Sequence, residues 1–163
     1  MNRLENKNIL ITGASSGIGR ECAIHCYKEG AKVHLLGRNE NSLNEIYSRL
    51  NDKNNSYHIL DLRDFAKYQS IIEDIVDKYG KIDGFIHSAG YQITLPISSM
   101  DYKQYIDIFE VNTISAFEFI KIITQKKYGN LKGMSIVLIA SIMSIVADIA
   151  LTAYCASKAA LVG

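Results

Sequence analysis

The chain predicts a doubly wound α/β domain, one parallel β-sheet with helices on both faces. Three observations carry that expectation. Short apolar runs at 8–12, 32–36, 56–60, 84–87 and 135–140 read as strands, segments of 3.6-residue apolar periodicity separate them, and a glycine-rich turn follows the first run. With 163 residues, 48% of them hydrophobic, a single domain spanning 1–163 has material for a sizeable core.

In the first run Ile9, Leu10 and Ile11 are continuously apolar, the pattern of a strand covered on both faces. It leads into Thr12-Gly13-Ala14-Ser15-Ser16-Gly17-Ile18-Gly19 and a helical stretch at 20–28. Three glycines let the backbone turn tightly, let a pyrophosphate reach the amides and let the helix pack on the sheet, while the helix amino terminus favours negative charge. Gly13, Ser15, Ser16, Gly17, Ile18 and Gly19 are therefore the candidate dinucleotide cradle. The second run ends at Gly37 and Arg38, the third at Asp61 and Leu62. Phe65, Tyr68, Ile71, Ile72, Ile75 and Tyr79 then form one helical stripe. The fourth run closes on His87-Ser88-Ala89-Gly90, and 111–123 reads as one helix with Asn112 inside it.

Between 134 and 151 only Asp148 is charged, long enough to resemble a membrane span. The segment instead divides into a β-branched strand, expected to be buried on both faces, and a Ser-punctuated loop at 141–150. No membrane association is expected. A net charge of +1, from 18 basic and 17 acidic residues, gives no footprint for nucleic acid. Cys22, Cys26 and Cys155 lack a Cys-x-x-Cys spacing and read as reduced, buried cysteines of a cytoplasmic protein, and nothing suggests a metal.

Ser141 ends the fifth strand, and Tyr154 and Lys158 follow at Tyr-x-x-x-Lys spacing, thirteen residues on. Spacing alone proves little, because Ser115, Tyr128 and Lys132 repeat it. Context separates the two sets. Ser115 lies inside a helical pattern, and Gly129 and Gly133 break the helix that Tyr128 and Lys132 would need. Residues 154–162 are helix-compatible throughout, so Tyr154 and Lys158 share one face. A phenol of ordinary pKa about 10 is a poor base near neutrality, and a fixed ammonium beside it favours the phenolate. Tyr154 is then a proton donor for a carbonyl oxygen, or an acceptor in reverse, and Ser141 a donor to the same oxygen.

The Gly-x-x-x-Gly-x-Gly turn, with Ser141, Tyr154 and Lys158 downstream, resembles the short-chain dehydrogenase/reductase family along essentially the whole chain. The resemblance implies a Rossmann-type fold, a nicotinamide dinucleotide, and catalytic roles for Asn112, Ser141, Tyr154 and Lys158. Lys158 would also hold the nicotinamide ribose and, with Tyr154, contact the cofactor. At the family's acidic position stands Gly37, followed by Arg38, whose guanidinium suits adenine stacking and the 2′-phosphate; NADP, as NADPH, is favoured over NAD. Ser16 stands where many NADP users carry a second basic residue. Asp61 and Leu62 match the adenine contact, with an N-cap near Asp64 as the other reading of Asp61. Ser88, Ala89 and Gly90 match the end of the family's Asn-Asn-Ala-Gly, and His87 departs from it as a structural residue. Asn112 matches the helix asparagine that holds a relay water, the other reading being a side chain satisfied by neighbouring backbone.

The function implied is hydride exchange with a small carbonyl or alcohol substrate. The apolar loop after Ser141 suits a 3-oxoacyl thioester or another apolar ketone. A non-catalytic NADP-binding module, regulatory or redox-sensing, is the alternative. Phe117, Phe119, Ile120, Ile122 and Ile123 exceed one core-facing stripe, so a homodimer or homotetramer is expected. Family members add two strands after the fifth, so the chain is expected to be the amino-terminal part of a longer one, truncated inside the helix of Tyr154.

Overall fold

The computed structural model of the chain describes residues 2–163. Strands β1 (Asn8–Thr12), β2 (Lys32–Gly37), β3 (Ser56–Ile59), β4 (Gly84–His87) and β5 (Ser135–Leu138) form one sheet in the order β3-β2-β1-β4-β5. Every neighbouring pair is parallel. Helices α1 (Gly17–Lys28), α2 (Glu40–Leu50), α3 (Tyr68–Tyr79), α4 (Tyr102–Phe109), α5 (Ser115–Ile123) and α6 (Thr152–Ala159) complete the doubly wound fold. The strand order reverses between β1 and β4, and the carboxyl ends of those two strands open the crevice in which such sheets bind ligands.

Strand alternation sorts the core into two layers. Ile9, Ile11, Val33 and Leu35 meet Ala23 of α1 and Leu43 and Ile46 of α2 on one face. Leu10, Leu36 and Phe85 meet Tyr68 and Ile72 of α3 and Phe119 of α5 on the other. There the Tyr68 and Phe119 rings stack 3.9 Å apart, and the Tyr68 hydroxyl donates to the Leu62 carbonyl at 2.5 Å.

Three expectations need correction. The helix expected over 111–123 is interrupted, because residues Glu110–Ile114 form a π-helical turn between α4 and α5. The apolar spacing runs through that turn unchanged, so periodicity cannot register it. Among the described residues, strand β5 pairs only with β4, and Ile136 and Val137 are 39% and 47% exposed, not buried on both faces. An apolar run reports hydrophobic side chains, whereas covering them takes elements packed from elsewhere in the chain. The three cysteines are free but half-buried, with burial pushing the Cys22 and Cys26 thiols up.

His34 in β2 is fully buried between Ser56 Oγ at 2.9 Å and Asn8 Oδ1 at 3.3 Å, against the Tyr79 ring. Burial first, then the charges of His58 and Lys32, push it down to about 3. The neutral imidazole is thus the folded form. Its stabilisation is complete above an unfolded value of about 6.5 and is lost as pH falls toward about 3. At about 1.4 kcal/mol per pH unit, roughly 2 kcal/mol from His34 is gone by pH 5. The urea midpoint at pH 5 should lie well below that at pH 7, and His34→Asn should flatten the dependence; an equal slope in both proteins refutes this account.

Candidate active site

The glycine turn is shaped so that backbone, not side chains, meets the crevice. Gly13 has φ 68°, and a Cβ on it would lie 2.7 Å from the Ala89 backbone nitrogen. A Cβ on Gly19 would lie 2.3 Å from the Gly13 carbonyl oxygen. Gly17 has φ 53°, a left-handed conformation that other residues rarely adopt. Ser16 caps α1 in extended conformation without a side-chain capping bond, and the first turn carries no acidic residue. Free amides, a free hydroxyl and no side chain in the gap fit an anionic pyrophosphate.

A cleft of about 250 Å³ opens from this turn. Its lining includes Ser15, Ser16, Gly37, Arg38 and Asn39, then Leu60, Asp61 and Leu62, and Ser88, Ala89, Gly90, Tyr91 and Val111. Gly17, Ile18 and Gly19 do not line it; Ile18 is exposed and Gly19 is buried beneath the turn. The cleft thus gathers most of the expected cofactor residues.

Neither sequence reading of Asp61 describes all that its carboxylate does. It accepts from the Arg63 backbone at 3.0 Å and from the Arg63 guanidinium at 3.0 and 2.6 Å, which holds it down to about 2. Asp61 does not act as an N-cap, since the short turn Phe65–Lys67 starts after Asp64. Arg63, also 3.5 Å from Asp107, was not singled out from the sequence. Asn39 was also missed. Its Oδ1 accepts from the Ser42 amide at 3.0 Å as the N-cap of α2, a pattern visible in Asn39-x-x-Ser42. No sequence signal marked Tyr91.

Ser141, Tyr154 and Lys158 stand beyond the lip of the cleft. Ser141 precedes a short 3₁₀ turn, Ile142–Ser144, and its Oγ accepts from the Met143 amide at 3.1 Å. Acting there as an acceptor, the hydroxyl keeps its proton for another oxygen. Tyr154 and Lys158 lie one turn apart on α6, Tyr154 half-buried and Lys158 buried. The Lys158 ammonium donates to the Ile139 carbonyl at 2.7 Å, and burial lowers its pKa. It also reaches the cleft, since a Cβ on Gly90 would lie 3.1 Å from Nζ and 3.3 Å from Asn112 Oδ1. Gly90 is where the cleft meets Lys158.

Asn112 lies in the π-helical turn, fully buried. Its Oδ1 accepts from the Tyr91 amide at 2.9 Å, and its Nδ2 donates to the Tyr91 carbonyl and Ser157 Oγ, both at 3.0 Å. Both side-chain protons are therefore committed, one to backbone and one to a side chain. Thr113 Oγ1 donates to the Ser157 carbonyl at 2.8 Å and Ser157 Oγ to the Tyr154 carbonyl at 2.8 Å, which ties the turn to α6. Ser157 and Thr113 were missed because their partners are distant in sequence. His87 is buried as expected, its Nδ1 2.8 Å from Thr12 Oγ1. The alternative triplet is dispersed: Ser115 Oγ donates to the Val111 carbonyl, and the Tyr128 hydroxyl donates to Glu73 at 2.6 Å.

The parallel sheet, the crevice at its switch point and the glycine turn define a class, the Rossmann-type domains of oxidoreductases. Within it, the chain belongs to the short-chain dehydrogenase family, whose model matches residues 7–163. It is 36% identical over 120 residues to the Escherichia coli (strain K12) oxidoreductase YciK, across 70% of this chain and 48% of that one. It is 34% identical to the 3-oxoacyl-[acyl-carrier-protein] reductase FabG of Rickettsia prowazekii, across 98% of this chain and 64% of that one. A short-chain dehydrogenase structure from Escherichia coli CFT073, complexed with NADPH, superposes with a TM-score of 0.85 at 31% identity, covering 99% of this chain and 70% of that one. The chain thus spans about half to two thirds of the curated relatives' lengths. Among the described residues, no helix is long and apolar enough to cross a membrane.

Proposed function

We propose that the chain carries the cofactor site and proton-transfer residues of an NADPH-dependent carbonyl reductase acting on a ketone of hydrocarbon character, such as a 3-oxoacyl thioester. One observation carries the reading: Tyr154 and buried Lys158 share one face of α6, with the Lys158 ammonium against Gly90 of the cleft. The NADPH-complexed relative and the 3-oxoacyl reductase support it.

A nicotinamide dinucleotide supplies the hydride when bound. The chain's own residues manage the oxygen. Ser141 donates a hydrogen bond to the substrate carbonyl oxygen, favouring the charge that grows there. Tyr154 gives that oxygen its proton through the phenol O–H, and the Lys158 ammonium stabilises the phenolate left behind. Asn112 holds the Tyr91 strap and, through Ser157, the helix that carries this pair. Ile142, Ile145, Val146 and Ile149 are exposed beside Ser141 and offer an apolar wall. Exposed Ile114 and Phe117 offer a face to a second copy, although Phe119, Ile122 and Ile123 belong to the core.

The test is NADPH consumption against a panel of ketones and 3-oxoacyl thioesters. Binding of NADPH without consumption favours a non-catalytic module instead. Cofactor choice is tested separately by Arg38→Asp. A carboxylate repels the 2′-phosphate and bonds a ribose 2′-hydroxyl, so NADPH should weaken by about tenfold or more and NADH tighten. Fluorescence titration of both cofactors reads the result, and an unchanged NADPH affinity makes Arg38 a plain surface charge.

A further inference from the structure

His87 is the buried titratable group for which the proton-transfer scheme has no use. Its ring is fully buried at the end of β4, with Thr12, the residue that opens the glycine turn, at its Nδ1. Thr12 Oγ1 lies 2.8 Å from Nδ1 and accepts from the Ala89 amide at 3.5 Å. Thr12 Oγ1 and Nδ1 share one hydrogen bond, and with the Thr12 proton given to Nδ1 the imidazole proton stands on Nε2. Among the described residues, Nε2 is a buried side-chain nitrogen without a hydrogen-bond partner. A buried donor without a partner is rare and calls for an account.

The surroundings supply one. The backbone of Asn112 and Val111 acts on the ring from the π-helical turn, and Lys158 acts on it as the neighbouring charge. Burial and that charge keep His87 down to about 4, so the ring is neutral near pH 7. The Val111 carbonyl of that turn already accepts from the Ser115 hydroxyl, and the Asn112 carbonyl beside it suits a neutral N–H, directly or through one water. The amide usual in the family at this position would also present a donor and an acceptor.

We infer that His87 is a positioning residue, a neutral imidazole locked by Thr12 as the Nε2–H tautomer, whose donor holds the Asn112 carbonyl of the π-helical turn. Through the bonds of Asn112 and Thr113 to Ser157, it sets where Tyr154 and Lys158 stand. The inference rests on Tyr154 and Lys158 being the proton-donating pair, and its test includes a measurement independent of turnover.

Nitrogen-15 NMR of the histidine rings, with His87→Asn for assignment, should show a neutral Nε2–H tautomer at pH 7. An Nδ1–H tautomer overturns the inference. His87→Leu should shift the amide resonances of Asn112 and Ser157, and His87→Asn should return them toward wild type. In turnover, His87→Leu should lower kcat by about tenfold or more through misplacement of the pair, with the KM for NADPH changed by less than about threefold, and His87→Asn should recover most of the loss. Equal kcat and equal amide shifts in both variants make His87 a packing residue only. Should His87→Leu fail to fold, Thr12→Val removes the lock from the other side and should release the tautomer; an unchanged tautomer there also overturns the inference. Turnover retained by Tyr154→Phe would defeat the functional reading, while the NMR arm still decides the role of His87.

Discussion

Replacing Tyr154 with Phe is expected to lower kcat by about 10³-fold while the NADPH dissociation constant stays within about threefold, because a general acid contributes roughly 10² to 10⁴ and the ring itself remains. In the proposed reaction the Tyr154 phenol gives the proton to the carbonyl oxygen, with Lys158 one turn along on α6. None of the hydroxyl's chemistry is needed by the cleft at Ser15, Arg38 and Asp61, where the adenosine end would bind. Stopped-flow turnover and a fluorescence titration on one preparation separate the two effects. Tyr128→Phe is the control, since Tyr128 bonds Glu73 away from the site and should change stability by about 1 kcal/mol with kcat unchanged. Near-full activity in Tyr154→Phe would remove the assignment.

Gly19→Ala should damage both cofactor binding and the fold. The added Cβ would lie 2.3 Å from the Gly13 carbonyl oxygen and 2.7 Å from its carbonyl carbon, and backbone on both sides of the turn has no flexible end to swing aside. The turn must open, moving the amides ahead of α1 off their common centre. Losing two such contacts at about 1 to 3 kcal/mol each weakens NADPH by about 30-fold or more, and the strain removes about 1 to 3 kcal/mol of stability. Calorimetric titration and a urea curve measure the two losses. Gly133→Ala, with nothing within 4 Å of the added Cβ, should leave both unchanged. A Gly19→Ala protein that binds NADPH like wild type would show that the turn has slack.

The glycine turn was legible because its residues are local: spacing of Gly13, Gly17 and Gly19 after an apolar strand fixes a backbone shape with little help from elsewhere. The parallel sheet was legible for a similar reason, since strands separated by helical stripes leave few topologies. Even the choice between Tyr154 and Tyr128 followed from neighbours in sequence, where glycines interrupt one helix and spare the other.

What the chain settled alone was therefore local conformation and hydrophobic period. The tertiary structure decided the rest. The partners of the Asn112 side chain, Tyr91 and Ser157, lie 21 and 45 residues away, and only the packed structure brings them to it. The π-helical turn left the apolar period intact and so left no trace in it. Arg63 reaches Asp107 and His87 reaches Thr12 across gaps that no spacing rule spans. The physical reason is one of range. Propensity and periodicity act over a turn or two of chain, whereas the partner of a buried polar group is chosen by whatever the packed sheet brings within about 3 Å of it.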